Sequence, residues 1–230
     1  MNSPNLFFEK RLWKNGFRFI AGADEVGRGS FAGPIVAAAV VFAPISNFKF
    51  LISNEKGRRI IINDSKKLTP KQRQNASKWI KKNALAYGVG SVSAKVINGL
   101  GMAKAARMAF RRAISSANRK LNTKNLKSIE FLLIDAFYVP YVKRLRRKNQ
   151  LAIINGDEKS IAIAAASIVA KVYRDALMEK IGSGRKYKKY GWIENKGYGT
   201  KIHREAILKY GITGYHRKKF VETLLVKLKN

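Results

Sequence analysis

No cysteine occurs anywhere in the 230-residue chain. That excludes disulfides, thiol catalysis and cysteine-ligated zinc, and it agrees with a reducing compartment. Histidine is nearly as scarce. His203 and His216 stand apart from any cluster of ligating residues, and local hydrogen bonding is the role expected of each. No long hydrophobic run exists either: the longest, 31–45, is broken by Gly33, Pro34 and Pro44 and falls short of the roughly 20 residues of a membrane-spanning helix. The opening MNSPNLFFEKRLWKNG has no apolar stretch followed by a small-residue cleavage site, so a cytoplasmic protein without a membrane partner is expected. Neither an internal repeat nor a long low-complexity linker is found. Acidic residues are the last shortage: 14 Asp and Glu against 47 Lys and Arg leave a formal charge of +33.

What is present bounds the class. An apolar content of 46% is too high for a disordered basic tail, so the chain folds. Its positive field attracts polyanions, nucleic acid first and an anionic membrane surface second. The runs 16–24 (GFRFIAGAD) and 34–42 (PIVAAAVVF) read as strands joined by a glycine-rich turn. The second is apolar at successive positions, as in a central strand covered on both faces. Residues 46–63 read as charged and irregular. A helix follows, with Thr69 as N-cap and Pro70 at its first position. A strand over 84–94, a helix over 95–120 and strands over 129–135 and 151–154 come next. The clearest helix is 160–181, with Ile161, Ala164, Ala165, Ile168, Val172, Leu177 and Ile181 on an apolar side. After a Gly, Lys and Tyr-rich loop, two short helices around 202–209 and 217–229 close the chain. The sum is an α/β domain with a small appendage.

In so basic a chain the placement of acids is informative. Asp24 and Glu25 lie where the first strand runs into VGRG, Asp135 ends FLLI, and Asp157 lies between LAII and the alanine-rich helix. Sites in open α/β sheets are built at strand C-terminal ends. Adjacent strand residues point to opposite faces, so Asp24 and Glu25 share a site only if the backbone turns there, as the glycines of VGRG permit. Four converging carboxylates need cations, and all-oxygen ligands suit Mg²⁺ or Mn²⁺. In two-metal phosphodiester hydrolysis, one ion activates water and the other stabilises the leaving oxygen. Taken singly, each acid also reads as a turn residue, and Asp157 as a helix N-cap. Asp175 competes with Asp157, but it lies 18 residues further on, roughly 27 Å along a helix. It is expected to pair with a nearby Arg or Lys.

The segments AGADEVGRGSFAGPIVAAAVVF, NDSKKLT, LLIDA, NGDEKSIAIAAASIVAKVYRD, NKGYGTKIHREAI and HRKKF occur in one order. In that order and at that spacing the chain resembles bacterial ribonuclease HII over nearly its whole length. The resemblance implies a ribonuclease H-like mixed sheet flanked by helices, with a catalytic core over 1–181 and a substrate-binding loop and helical segment over 182–230. It implies an endonuclease using Mg²⁺ or Mn²⁺, two ions per site. The enzyme would hydrolyse the RNA strand of RNA/DNA hybrids and incise 5′ of ribonucleotides embedded in duplex DNA, leaving 3′-hydroxyl and 5′-phosphate ends. The family's four acids fall on Asp24, Glu25, Asp135 and Asp157. Its Gly-Arg-Gly turn falls on Gly27, Arg28 and Gly29, its tyrosine on Tyr198, and its Asp-Ser-Lys loop on Asp64, Ser65 and Lys66. Ser30, Phe31, Asn195 and the KKYGW stretch depart from the family's usual residues, and none is an expected metal ligand.

RNA differs from DNA by a hydroxyl that donates and accepts hydrogen bonds, and glycines let main-chain groups approach it. Gly27–Gly29 are therefore expected to grip the 2′-OH while Tyr198 meets the same sugar. On the residues alone, the same pieces read as a plain tight turn and an exposed loop aromatic. Lys66 and Lys67 are expected on backbone phosphates, while Lys171 reads equally as a phosphate contact or a packing residue. A monomer is expected, with a replication clamp as a candidate partner. Two rivals remain: a non-catalytic basic RNA-binding protein, and the related ribonuclease HIII, for whose extra N-terminal domain the 23 residues before Asp24 are too few.

Overall fold

The computed structural model describes residues 3–44 and 60–227, with side chains described as far as 223. Five strands form one mixed sheet: β1 (Ile20–Val26), β2 (Ile35–Val41), β3 (Ala86–Val92), β4 (Phe131–Asp135) and β5 (Gln150–Ile153). Their order is β3-β2-β1-β4-β5, antiparallel from β3 to β1 and parallel from β1 to β5. The parallel half brings the C-terminal ends of β1, β4 and β5 to one edge of the sheet. β2 is buried along its whole length, as its unbroken apolar run requires.

Helices cover both faces. On one side α4 (Met102–Asn122) lays Ala105, Ala109, Ala113 and Ala117 against the sheet. Alanine faces glycine there: a Cβ at Gly88 or Gly90 would lie 2.0 Å or 2.1 Å from an α4 carbonyl oxygen. On the other side α5 (Ile161–Gly182) packs on β1 and β2 beneath α2 (Pro70–Asn83). The start of α2 is the expected one: Thr69 Oγ1 accepts from the Gln72 N–H, Gln72 Oε1 accepts from the Thr69 N–H, and Pro70 stands at the first position.

Several expectations are corrected. An N-terminal helix, α1 (Phe7–Lys14), precedes β1, which starts at Ile20 and not at residue 16. Its buried Glu9 accepts from Ser160 Oγ (2.7 Å) and the Ala162 N–H (2.9 Å), anchoring the start of α5. The helix expected over 95–120 is two, α3 (Ala94–Leu100) and α4, because Gly101 at φ +78° redirects the chain. α5 has no polar side over 161–170, where every residue is buried, because it enters the core between the sheet and α2. The irregular stretch 46–63 lies outside the described residues as far as 59.

Beyond α5 come the one-turn α6 (Trp192–Asn195), α7 (Lys201–Tyr210) and α8 (Lys218–Lys227). Trp192, Tyr190, Ala206, Ile207 and Val221 form a small core of their own with Ala32 and Met178. Among the described residues, no helix is long and apolar enough to cross a membrane.

Candidate active site

The expected acids assemble at the C-terminal edge of the parallel strands. The last register pair of β1 and β4 is Ala23 with Ile134, so Asp24 and Asp135 follow side by side on neighbouring strands. Both take the α5 face: Gly22, two residues before Asp24, lies against Ala162, while Ala21 and Ala23 face α4. The anticipated turn between Asp24 and Glu25 is absent. Pairing with β2 holds the strand to Val26 opposite Val36, and the turn begins at Gly27, φ +87°. Glu25 therefore leaves from the other face and meets the Arg28 guanidinium at 3.2 Å. Its own N–H donates to Asp24 Oδ1 at 2.7 Å.

Left-handed residues shape the other two strand ends. Ala136 (φ +63°) follows Asp135, and Asn155 (φ +53°) precedes the short turn Gly156–Glu158 that carries Asp157. The Gly156 N–H donates to Asp135 Oδ1 at 2.8 Å, tying these two ends together. Asp157 is not the helix cap. That role belongs to Ser160, whose hydroxyl accepts from the Ile163 N–H.

Electrostatics record the convergence. Desolvation, then Glu25, Asp135 and Asp157, push the Asp24 carboxyl well above its ordinary range, against the opposing hydrogen bond of Ser167. Desolvation raises Glu25 despite Arg28. Asp157 is pushed up to about 6 by desolvation, then by Asp64 and Asp135. Lys66 faces the same group: burial opposes its charge, but Asp64, Asp157, Asp24 and Asp135 together outweigh that and raise it. Among the described residues, no three acidic or histidine side chains stand close enough to ligate one ion as oriented. Asp24 and Asp135 each accept a main-chain N–H, and Glu25 is turned to Arg28. The donor set is nonetheless all oxygen, crowded and short of cations, which suits hard divalent ions.

Two contributors escaped the sequence reading. Asp64, legible only as the first residue of a loop, is buried and presses on Asp157. Ser167 carries no motif beyond its place in the alanine run, yet its hydroxyl opposes the rise of the Asp24 carboxyl and lies 3.0 Å from Ser65 Oγ. Asp175 pairs with Lys171 at 2.8 Å, away from the cluster.

The Gly27–Gly29 turn is held from below. Buried Arg217 donates to the carbonyls of Gly27 (2.6 Å), Arg28 (2.9 Å) and Gly33 (3.0 Å). Buried Arg174 donates to Ser30 Oγ (2.7 Å) and to the carbonyls of Pro34 (3.0 Å) and Lys196 (2.9 Å). Tyr198 is half-buried, its ring centroid 5.3 Å from the Arg174 guanidinium and 5.7 Å from Lys171 Nζ. Arg174 thus joins the end of the turn to the loop that carries Tyr198.

A mixed sheet with acids at the ends of its parallel strands, under helices on both faces, defines a nuclease of the ribonuclease H fold. The ribonuclease H2 of Pyrococcus horikoshii OT3 superposes with a TM-score of 0.67 at 26% identity, over 92% of this chain and 99% of that one. Bst-RNase HIII in complex with Mn²⁺ shares the fold at a TM-score of 0.68 and 18% identity, over 91% and 70%. So does the ribonuclease HII of Archaeoglobus fulgidus, solved in a complex with PCNA, at 0.63 and 24%, over 86% and 93%. In sequence, residues 21–223 match the family model for Ribonuclease HII. The Ribonuclease HII of Caldanaerobacter subterraneus subsp. tengcongensis is 42% identical over 95% of this chain and 80% of its own. That of Alkaliphilus metalliredigens is 41% identical over 96% and 98%. The chain belongs to the ribonuclease HII family and is an endoribonuclease acting on RNA/DNA hybrids.

Proposed function

We propose that this enzyme recognises a ribose within a duplex and hydrolyses the phosphodiester on its 5′ side, leaving 3′-hydroxyl and 5′-phosphate ends. The observation that carries the reading is the placement of Asp24, Asp135 and Asp157 at the neighbouring C-terminal ends of β1, β4 and β5, with Glu25 next in sequence, beside the Gly27–Gly29 turn. Asp24 and Asp135, adjacent on β1 and β4, are the principal holders of divalent cations, with Asp157 beside them and Glu25, whose side chain leaves from the other face, completing the set through its main-chain carbonyl. Bound Mg²⁺ or Mn²⁺, two ions in this reading, would supply positive charge to the reacting phosphate and to its leaving oxygen.

The chain's own groups do the rest. Gly27 and Gly29 bring main-chain groups to the 2′-hydroxyl, Arg28 stands beside Glu25, and Tyr198 closes on the same sugar. Ser65 and Lys66 present a hydroxyl and an ammonium to the phosphate next to the acids. Residues 182–230, whose small core includes Ala32 and Met178, form the substrate-binding segment attached to the catalytic core of 1–181. A replication-clamp partner belongs to the same reading, by analogy with the A. fulgidus complex.

The decisive assay is incision of a duplex carrying one ribonucleotide, with and without Mg²⁺ or Mn²⁺. Asp24→Asn and Asp135→Asn should each abolish incision without lowering melting temperature or weakening duplex binding. Undiminished turnover in either variant removes that residue from the mechanism.

A further inference from the structure

The two histidines of the chain lie outside the carboxylate cluster, fully buried and in contact, with Nε2 atoms 3.2 Å apart. Their neighbours fix every proton. The Trp192 indole N–H, which can only donate, lies 3.0 Å from His203 Nε2, so that nitrogen is an acceptor and the His203 proton sits on Nδ1. Nδ1 is 2.9 Å from the main-chain carbonyl oxygen of Tyr198 and donates to it. The Thr213 N–H donates to His216 Nδ1 at 2.8 Å, so the His216 proton sits on Nε2 and points at His203. One assignment accounts for these contacts: Thr213 donates to His216 Nδ1, the His216 Nε2–H and the Trp192 indole N–H share the single lone pair of His203 Nε2, and His203 Nδ1–H donates to Tyr198. Both rings are then neutral, in agreement with the burial that lowers both groups, His216 to about 4.

The chain of bonds ends at the residue assigned to the sugar. The Tyr198 carbonyl also accepts the Thr200 N–H at 2.9 Å, and Thr200 caps α7, which carries His203. On the other side His216 pairs with Ala32 in an isolated bridge, just after the Gly27–Gly29 turn. Trp192, Tyr190 and Phe31 surround the pair with rings. The histidines touch neither acid nor open surface, so they can act on the substrate only through the loop they hold.

We propose that His203, kept in its Nδ1–H form by Trp192 and His216, is a positioning residue for ribose selection: it sets the height of Tyr198 against the sugar without touching substrate. The inference rests on the reading of Tyr198 as the sugar contact, and the experiment separates the two.

Asparagine places an amide N–H near the Nδ1 position, whereas glutamine fills the ring's volume without a donor there. His203→Asn keeps the donor to Tyr198 but loses the acceptor facing Trp192 and His216, so it should melt below His203→Gln yet incise the one-ribonucleotide duplex faster. The glutamine variant should lose about tenfold in kcat, the worth of one hydrogen bond, with KM little changed, and asparagine should restore most of it. Introduced into a Tyr198→Ala background, His203→Gln should cost nothing further. Equal kcat for the two variants, or an additive loss in the double variant, overturns the positioning role. If Tyr198→Ala itself incises at the parental rate, the sugar-contact reading fails, and this inference with it.

Discussion

At the scale of single residues, the site holds more negative charge than its protein environment neutralises, and the consequence is a measurable pH dependence. Asp157 would titrate near 3.8 in the unfolded chain and titrates at about 6 in the fold, raised by desolvation and then by Asp64 and Asp135. Below the lower value both states are protonated and the fold bears no penalty. As pH rises through the upper one, the folded chain takes on a crowded charge and loses stability. Asp157→Asn never ionises. Its melting temperature relative to the parent, measured in chelator, should therefore rise between about pH 4 and about pH 7; a flat difference would contradict the crowding. Asp24, Glu25, Asp135 and Asp157 were legible because acids are rare here and stand at strand ends. Ser167 and Asp64 were not, because nothing local distinguishes a hydroxyl or carboxylate that a distant element will place beside Asp24 or Asp157.

At the scale of elements, the site depends on how closely α5 approaches β1. A Cβ on Gly22 would lie 2.0 Å from the Ala162 carbonyl carbon and 2.3 Å from the Ile163 nitrogen. Gly22→Ala must push the helix off the strand, and should lower the melting temperature by roughly 5–10 °C and incision with it. Gly29 is the contrast. A Cβ there meets nothing within 4 Å, and its φ is not positive. Gly29→Ala should keep the parental melting temperature yet depress incision at an embedded ribonucleotide, if the turn receives the sugar as proposed. Unaltered incision would show that the turn is only a turn. Helix and strand identities were readable from periodicity and caps. The break at Gly101 was not, because apolar spacing continues through it, and α1 was missed because it is only eight residues long and no residue with a capping side chain stands at its N-cap.

For the whole molecule, a formal charge of +33 accompanies the acids at the strand ends. Duplex binding should therefore be mostly electrostatic. Neutralising six to ten phosphates implies a loss of about 10³–10⁵ in affinity between 50 and 200 mM salt, measurable by fluorescence anisotropy on a non-cleavable duplex. A slope near zero would mean that the basic faces are merely solvated. The amino-acid order by itself determined the family, the α/β class and which acids stand at strand ends, since those depend on local pattern and on motif order. Only the tertiary structure decided that β1 runs straight past Glu25, that Ser167 and Asp64 join the cluster, and that two buried histidines hold Tyr198. Those facts follow from strand register and helix packing, which set Ser167 beside Asp24 and Asp64 beside Asp157 and leave no trace in local sequence.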